Sequence, residues 1–375
     1  MFLSGSPNII IRMKHNPALD GIRAMAVLMV IGFHAFAPGA SGGYLGVDVF
    51  FVLSGYLITT LLVEEVERTG SVQLRRFYLR RFMRLTPALL LMLIAYLLLA
   101  PLAWPKMAFH TDVRDVLIST FYLSDYASAY WSAPFYLRHT WSLAVEQHFY
   151  LLWPLLVLPL AHKLSRRHFA ITLAGLYAVF TAWRIFCDLH GELAYQHSYY
   201  RFDTRLSGLI AGSLLALLLT GKRQPVWRHA ELAAMSGLAV ITICSWRFHV
   251  LSTGAMTYGI AAIEFATLAL IYVAMSSEGS RVRRALAHPV PAYLGKMSYG
   301  IYLWHYPIFV YMWGRYPWYE ILLIGGTATL GLAIVSYHSV EKLARDYLRR
   351  SGLKGRAPVS AGHVASATPV RDRAA

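Results

Sequence analysis

The segment Leu19 to Phe36, LDGIRAMAVLMVIGFHAF, carries an arginine and a histidine within a run of apolar residues. Arg23 and His34 are eleven positions apart, which in a helix is about three turns and about 16 Å, and returns to nearly the same face. An ionisable group inside a membrane costs about 2.5–3.5 kcal/mol on insertion scales, so each one indicates a function or a partner. Two interpretations stay open for this pair alone. Both side chains line one interior channel, or Arg23 extends to the membrane surface and His34 bonds to nearby backbone.

A second cluster of ionisable residues is RRFYLRRFMRLTP, Arg75 to Pro87. Arg75 and Arg76 are explained as a topology signal that also attracts anionic lipid. Arg81 and Arg84 differ, because they are three apart on one helical face and lie closest to the apolar run. Guanidinium groups in such a position suit the bidentate binding of phosphate.

A third cluster is HTWSLAVEQHFYLLWP, His139 to Pro154, which places Glu146 about two turns inside an apolar segment. A carboxylate near a histidine can orient the imidazole or share its proton, so Glu146 is predicted to pair with His34. The alternative is a structural ion pair with an arginine such as Arg205. His148 is two residues further on and faces elsewhere.

Two further segments carry polar groups within apolar runs. In MSYGIYLWHYPIF, Met297 to Phe309, His305 and Tyr302 lie in an aromatic run of a kind that more often packs than reacts. In RFDTRLSGLIAG, Asp203 and Arg205 are predicted to form an ion pair, and the small residues that follow favour close helix packing.

The elements that must hold these residues are membrane-spanning helices. The chain has 375 residues, of which 57% are hydrophobic and 14% charged, and this composition excludes an ordinary soluble domain. We predict an all-α, polytopic bundle of about ten spans. The predicted spans are 18–37, 44–66, 84–103, 140–161, 168–187, 204–221, 229–249, 255–276, 292–314 and 319–340. Residues 113–126 are predicted to form an interfacial or re-entrant piece.

The net charge of +16 comes from short basic clusters between the apolar runs. That arrangement is typical of cytoplasmic loops and needs no nucleic acid partner. It predicts both termini in the cytoplasm, with a short segment 1–17, a membrane domain 18–342 and a basic, disordered tail 343–375. The cysteines, Cys187 and Cys244, are interpreted as core residues, and no metal site is predicted.

Taken together, these motifs resemble membrane-bound acyltransferase family 3. The similar blocks run in order from Asp20 to Leu343: DGIRAMAVLMVIGFHAF, GVDVFFVLSGYLIT, RRFMRLTP, TWSLAVEQHFYLLWP, FDTRLSGLIAG, SYGIYLWHYPI and SYHSVEKL. The resemblance implies a bundle of about ten helices in a bacterial cytoplasmic membrane. It also implies a form without the appended extracytoplasmic domain that some members carry.

The resemblance further implies an O-acyltransferase that uses acyl-CoA, most often acetyl-CoA, as a co-substrate and not as a bound cofactor. The acceptor would be a hydroxyl of a glycan, a lipid-linked oligosaccharide or a glycosylated small molecule. We expect His34 to act as general base, with Glu146 as its partner. The remaining assignments are Arg23, Arg81 and Arg84 to the cofactor, and Asp48, Tyr302, His305 and Arg205 to substrate binding or structural support. Ser54 is not expected to be a nucleophile, and a packing or backbone role is preferred.

Three alternatives stay open at this point. His34 could itself be acylated before the group reaches the acceptor. The buried charges could instead serve a transporter or flippase of an anionic or lipid-linked substrate. A membrane scaffold without catalytic activity is the third.

Overall fold

The structure is a computed structural model that describes residues 15–190, 194–221, 227–250, 252 and 254–351. Its described residues form helices and no β-strand. The helices are α1 Pro17–His34, α2 Gly46–Thr69, α3 Leu74–Ala103, α4 Phe109–Thr120, α5 Ser124–Trp131, α6 Thr140–Lys163, α7 Arg166–His190, α8 Ala194–Tyr200, α9 Phe202–Leu219, α10 Ala230–Arg247, α11 Ile260–Ser276, α12 Arg281–Leu286, α13 Pro289–Lys296, α14 Ser298–Met312, α15 Trp318–Glu320, α16 Gly326–His338 and α17 Val340–Arg350. The predicted all-α, polytopic bundle is confirmed.

Eight helical segments among the described residues are long and apolar enough to cross a membrane. All ten predicted spans are helical, but two of them do not reach that standard. The segment 292–314 is divided at Met297 into α13 and α14, and α14 has only 15 residues. The segment 229–249 forms α10, which has 18 residues and carries a charge near each end, Glu231 and Arg247.

Glycine residues bring the helix backbones into direct contact. A Cβ atom added to Gly55 of α2 would lie 1.9 Å from the carbonyl oxygen of Leu209 in α9, and one on Gly212 would lie 2.0 Å from that of Val52. The close packing predicted for LSGLIAG is therefore confirmed. At the other side of the bundle, Gly295 of α13 meets the carbonyl oxygen of Asp20 in α1 in the same way, at 1.8 Å. These contacts leave no room for a side chain and fix α2 and α1 against their neighbours.

The structure covers only part of the predicted N-terminal segment and of the predicted tail. Residues 1–14 of the predicted N-terminal segment and 352–375 of the predicted tail lie outside the described residues. The first residues of that tail are not disordered, because α17 continues to Arg350. Ala344 and Leu348 are buried on one side of this helix, which packs against α3 and α16. Apolar burial therefore extends the folded chain past residue 343.

The two ends of the bundle carry different ionisable residues. α1 and α3 begin at what we call the arginine end, where Arg81 and Arg84 lie in the first turns of α3. α1 finishes at the opposite, histidine end, where His34 is its last residue. α2 and α6 begin at the histidine end and run back, so consecutive long helices alternate in direction. The predicted interfacial piece 113–126 forms α4 and the start of α5.

Candidate active site

A cavity opens between α1, α2, α3, α6, α13, α14 and the start of α17, with about 910 Å³ of empty space that includes its opening to solvent. We call it the arginine cavity, because Arg23, Arg81 and Arg84 all line it. Lys296 adds a fourth basic group, and the carboxylates are Glu146 and Glu341. The remaining lining residues include Val47, Phe50, Phe51, Leu53, Ser54, Leu57, Ile58, Leu85, Ser142, Leu143, Tyr150, Ser298, Tyr299 and Tyr302. The three arginines predicted for the cofactor thus meet in one space.

Arg81 and Arg84 reach the cavity from one face of α3. The Arg81 guanidinium lies over two aromatic rings, 5.7 Å from the centre of Phe77 and 5.8 Å from that of Tyr150. Arg84 is exposed at the mouth of the cavity. Neither side chain forms an ion pair with a carboxylate of the described residues. Their N–H donors therefore remain available to an anionic ligand.

Arg23 enters the cavity from α1. Its side chain is 20% exposed, and its Nη1 lies 3.7 Å from Oδ1 of Asp20, one turn earlier in the helix. The other oxygen of Asp20 lies 2.7 Å from Nε2 of His15. Arg23 is therefore oriented by a shared carboxylate, and the interpretation in which it lines an interior space is the one that the geometry supports.

Glu146 lines the cavity and accepts a hydrogen bond that was not predicted from the sequence. The Ser54 hydroxyl donates to Glu146 Oε1 at 2.5 Å, and the Tyr150 hydroxyl donates to Ser54 Oγ at 3.0 Å. Ser54 thus uses its side chain on a carboxylate, so the predicted packing or backbone role was wrong. Because Ser54 and Glu146 are 92 positions apart, no local pattern indicated the contact. The neighbouring His148 faces Asp125 instead, at 3.1 Å.

His34 has a different partner from the one predicted. Its Nδ1 lies 3.1 Å from Nε2 of His305, and its carbonyl oxygen accepts a hydrogen bond of 2.8 Å from the Trp313 indole. The predicted pairing with Glu146 is wrong, since Glu146 bonds to Ser54 and His34 does not line the arginine cavity. Arg23 and His34 therefore do not line one shared cavity.

A third imidazole, missed from the sequence, lies beside these two. His139, the residue before α6, is 2% exposed, and its ring stacks on Tyr306 with centres 4.8 Å apart. Its ring centre is 5.7 Å from that of His305, and His34 meets Tyr306 edge-on at 5.0 Å. We call His34, His139 and His305 the histidine cluster. An ionisable residue at the head of TWSLAVEQ was the signal that could have found His139. No group of three or more ligating side chains in the described ranges has a metal-binding arrangement.

Tyr302 separates the arginine cavity from the histidine cluster. It lines the cavity, while its hydroxyl donates to the His139 carbonyl at 2.8 Å and lies 2.7 Å from Oγ of Ser142. Its own carbonyl oxygen lies 2.7 Å from Nδ1 of His305. One residue of α14 therefore contacts both compartments, which makes Tyr302 and His305 part of the candidate site.

Asp48 and Arg205 lie together but away from the cavity. Arg205 Nη2 donates to Asp48 Oδ1 at 2.7 Å, and both side chains are buried. The predicted Asp203–Arg205 pair is wrong, because residues two apart within α9 face different sides of the helix, and Asp203 pairs instead with Arg201, which precedes the helix. The alternative Glu146–Arg205 pair does not form either. The Arg205 guanidinium also lies over aromatic rings, which are Tyr199, Trp141 and Phe51 at 4.9, 5.5 and 5.7 Å.

A second buried pair lies next to the first and was also missed. Arg184 Nη1 is 3.6 Å from Oε1 of Glu264, and both side chains are at most 1% exposed. Ser207 donates to Glu264 at 2.6 Å and accepts from Arg184 at 2.6 Å, and Tyr177 donates to the same carboxylate at 3.0 Å. Both ionisable residues stand within predicted spans, which was the available signal. We call these two pairs, Asp48–Arg205 and Arg184–Glu264, the buried ion-pair region.

Comparison with known proteins identifies relatives that are acyltransferases. Residues 16–338 match the model of a family described as an acyltransferase domain. The chain is 33% identical over 362 residues to the O-acetyltransferase OatA of Staphylococcus aureus, and 32% identical over 313 residues to the peptidoglycan O-acetyltransferase OatA of Listeria monocytogenes. The matches cover 91% and 79% of this chain, but only 58% and 49% of the relatives. No solved structure matches the chain.

Proposed function

The chain belongs to the acyltransferase domain family, and from that premise we propose that it transfers an acetyl group from acetyl-CoA to a carbohydrate hydroxyl, with His34 as general base. The observation that carries the proposal is the arginine cavity. Its Arg81 and Arg84 have no carboxylate partner among the described residues, and Tyr302, which bounds the cavity, contacts the histidine that bonds to His34. The proposed sites of the anionic donor and of the base thus lie on two sides of Tyr302.

The arginines are assigned to the phosphates of the donor. Coenzyme A carries a pyrophosphate and a further phosphate at one end, and its thioester lies at the end of a long uncharged arm. Guanidinium groups bind phosphate oxygens through two parallel hydrogen bonds, which suits the exposed Arg84 and the half-buried Arg81. The apolar residues deeper in the cavity, Val47, Phe50 and Leu53, suit the uncharged arm.

His34 then acts on the acceptor. It takes the hydroxyl proton while the oxygen attacks the thioester carbonyl carbon, so that a C–O bond forms and the C–S bond breaks. The leaving thiolate recovers the proton from His34, and free coenzyme A and an O-acetyl ester result. Glu146 keeps a positioning role in this proposal, since it holds Ser54 and interacts electrostatically with Arg23 and Arg84.

The acceptor is proposed from the chemistry of the relatives. The L. monocytogenes relative is named as a peptidoglycan O-acetyltransferase, which supports a glycan as acceptor for this chain. A lipid-linked oligosaccharide or a glycosylated small molecule offers the same hydroxyl group. We place the enzyme in the bacterial cytoplasmic membrane, with the arginine end toward the cytoplasm where acyl-CoA is found.

A second route uses the same residues. His34 could accept the acetyl group on a ring nitrogen and pass it to the acceptor in a later step. The close approach of His34 to other imidazoles leaves this route open, and trapping of an acetyl-histidine without acceptor would favour it. Family membership favours either route over the transporter and the scaffold.

The test is transfer of labelled acetyl groups in membrane vesicles. Vesicles that contain the protein receive radiolabelled acetyl-CoA and peptidoglycan fragments, and the label on the glycan is measured. We expect transfer by the native chain and a large loss in the double variant Arg81→Ala/Arg84→Ala. Arg349→Ala, an exposed arginine of α17 outside the cavity, is the matched control and should transfer normally. Equal transfer by both variants would contradict the donor site.

A further inference from the structure

His34, His305 and the backbone of Tyr302 form one hydrogen-bonded chain. The Tyr302 carbonyl oxygen lies 2.7 Å from Nδ1 of His305, and Nε2 of His305 lies 3.1 Å from Nδ1 of His34. His305 is fully buried in α14, so its ring does not contact solvent. The two imidazoles come from α14 and α1 and are 271 positions apart in the chain.

The donor and acceptor properties of the atoms determine which group donates in each of these two hydrogen bonds. A carbonyl oxygen can only accept, so Nδ1 of His305 must carry the proton that it donates to Tyr302. In a neutral imidazole the other nitrogen is then an acceptor, so Nε2 of His305 accepts from His34. His34 must therefore be protonated on Nδ1. Its Nε2 is left with a free electron pair.

The neutral state of both rings follows from their surroundings. Among the ion pairs of the described residues, none joins His34, His139 or His305 to a carboxylate. His305 is buried and His34 is half-buried, and a cation removed from water without a counter-ion is disfavoured. Besides each other and His139, the rings around His34 and His305 carry no charge, and they are Phe33, Tyr302, Tyr306, Phe309 and Trp313.

From this geometry we propose that His305 is a positioning residue that fixes the tautomer of His34 and leaves Nε2 of His34 as the base. The inference rests on the proposed function for its catalytic meaning, although the tautomer can be measured without it. His305 takes the place that the sequence assigned to Glu146. It differs from a carboxylate because it is neutral, so it orients His34 without adding a negative charge to the site.

The hydrogen bond between His34 and His305 also stabilises His34 during acetyl transfer. When Nε2 of His34 accepts the hydroxyl proton, the ring becomes an imidazolium that donates Nδ1–H to Nε2 of His305. A hydrogen bond from a charged donor is stronger than one between neutral groups, so the contact stabilises the cation while it exists. When the thiolate leaves, it takes the proton from Nε2 of His34, so His34 returns to its neutral Nδ1-protonated form, while His305 keeps its proton on Nδ1 throughout.

One backbone group competes with His305 for this role. The carbonyl of Val30, one turn before His34, also interacts with its ring. If Val30 alone fixed the tautomer, His305 would be only a packing residue. His139 does not compete, because neither of its ring nitrogens forms a hydrogen bond with His34 and its ring stacks on Tyr306.

The test measures the tautomer and the kinetics separately. Protein with ¹⁵N-labelled histidine in nanodiscs gives ring nitrogen shifts that distinguish protonated from free nitrogens, and the His34 signals are assigned by their loss in His34→Asn. The native chain should show Nδ1 of His34 protonated and Nε2 free. In His305→Leu we expect a mixture of His34 tautomers. We also expect kcat to fall by about 10–100-fold, the loss typical when an outer partner of a metal-bound histidine is removed.

Two further variants separate positioning from packing. His305→Gln retains an acceptor near the position of Nε2 and should recover part of the lost kcat, whereas the KM for acetyl-CoA should stay unchanged in both variants. His148→Gln, which alters a histidine outside the cluster, is the control and should change neither tautomer nor kcat. An unchanged His34 tautomer in His305→Leu, or a native chain with Nδ1 unprotonated, would overturn the proposal. If His34→Asn still transfers acetyl groups, the proposed function fails while the tautomer result stands.

Discussion

The arginine cavity and the buried ion-pair region both place arginines inside a helical membrane bundle, but they treat the charge differently. Arg205 and Arg184 each have a carboxylate partner, Asp48 and Glu264, and are almost completely buried. Arg81 and Arg84 have no such partner among the described residues and face an open space. A paired charge in a bundle is explained by the fold alone. Unpaired charges that line a cavity indicate a ligand site.

The largest expected effect is a difference between the two regions in how much the loss of an arginine lowers the free energy of unfolding. Arg205→Ala leaves the Asp48 carboxylate buried without a cation, which costs about 3–5 kcal/mol when one partner of a buried pair is removed. Arg84→Ala removes an exposed side chain that forms no ion pair with the described residues, and it should change the free energy of unfolding by less than about 0.5 kcal/mol. Denaturant unfolding in a mild detergent measures both. Equal losses would mean that Arg84 is also structural.

The next prediction concerns the ligand of the unpaired charges. Each hydrogen bond to a charged group contributes about 1.5–3 kcal/mol, so Arg81→Ala/Arg84→Ala should raise the KM for acetyl-CoA at least tenfold, which is about 1.4 kcal/mol. Acetyl-pantetheine carries the same thioester without phosphates, and its KM should not respond to the double variant. Steady-state kinetics with both donors checks this. A parallel rise for acetyl-pantetheine would place the arginines near the arm and not the phosphates.

The smallest effect concerns the residue between the compartments. Tyr302→Phe keeps the ring and the backbone carbonyl but removes the hydroxyl that bonds to His139 and contacts Ser142. We expect a loss of about 0.5–1.5 kcal/mol in the free energy of unfolding and only a few-fold change in transfer. Thermal unfolding and the transfer assay measure the two quantities. A loss of transfer as large as that of His305→Leu would show that the hydroxyl takes part in the reaction.

The residues that the sequence identified are those whose type conflicts with their surroundings. Arg23, Arg81, Arg84 and Glu146 stand out as charges in or beside apolar helices, and the structure brings all four to one cavity. Helix periodicity also predicted that Arg81 and Arg84 share a face. The all-α bundle followed from the same apolar runs.

The contacts between distant segments were not predictable in this way. Ser54 reaches Glu146 and His305 reaches His34 only because α2, α6, α1 and α14 pack in one particular order. That order depends on backbone contacts such as Gly55 with Leu209, which a single sequence does not reveal. The error over Asp203 and Arg205 has the same origin, since proximity in sequence was taken for proximity in space.

The roles of His34 and of the arginine cavity are tested together by separating donor binding from transfer. In nanodiscs, His34→Ala should bind acetyl-CoA with the affinity of the native chain, because His34 does not line the cavity. The same variant should transfer acetyl groups at least about 100-fold more slowly, the lower range for loss of a general base. Equilibrium binding and single-turnover transfer with one preparation give both numbers. Native-rate transfer by His34→Ala would contradict the account, and so would loss of acetyl-CoA binding in that variant.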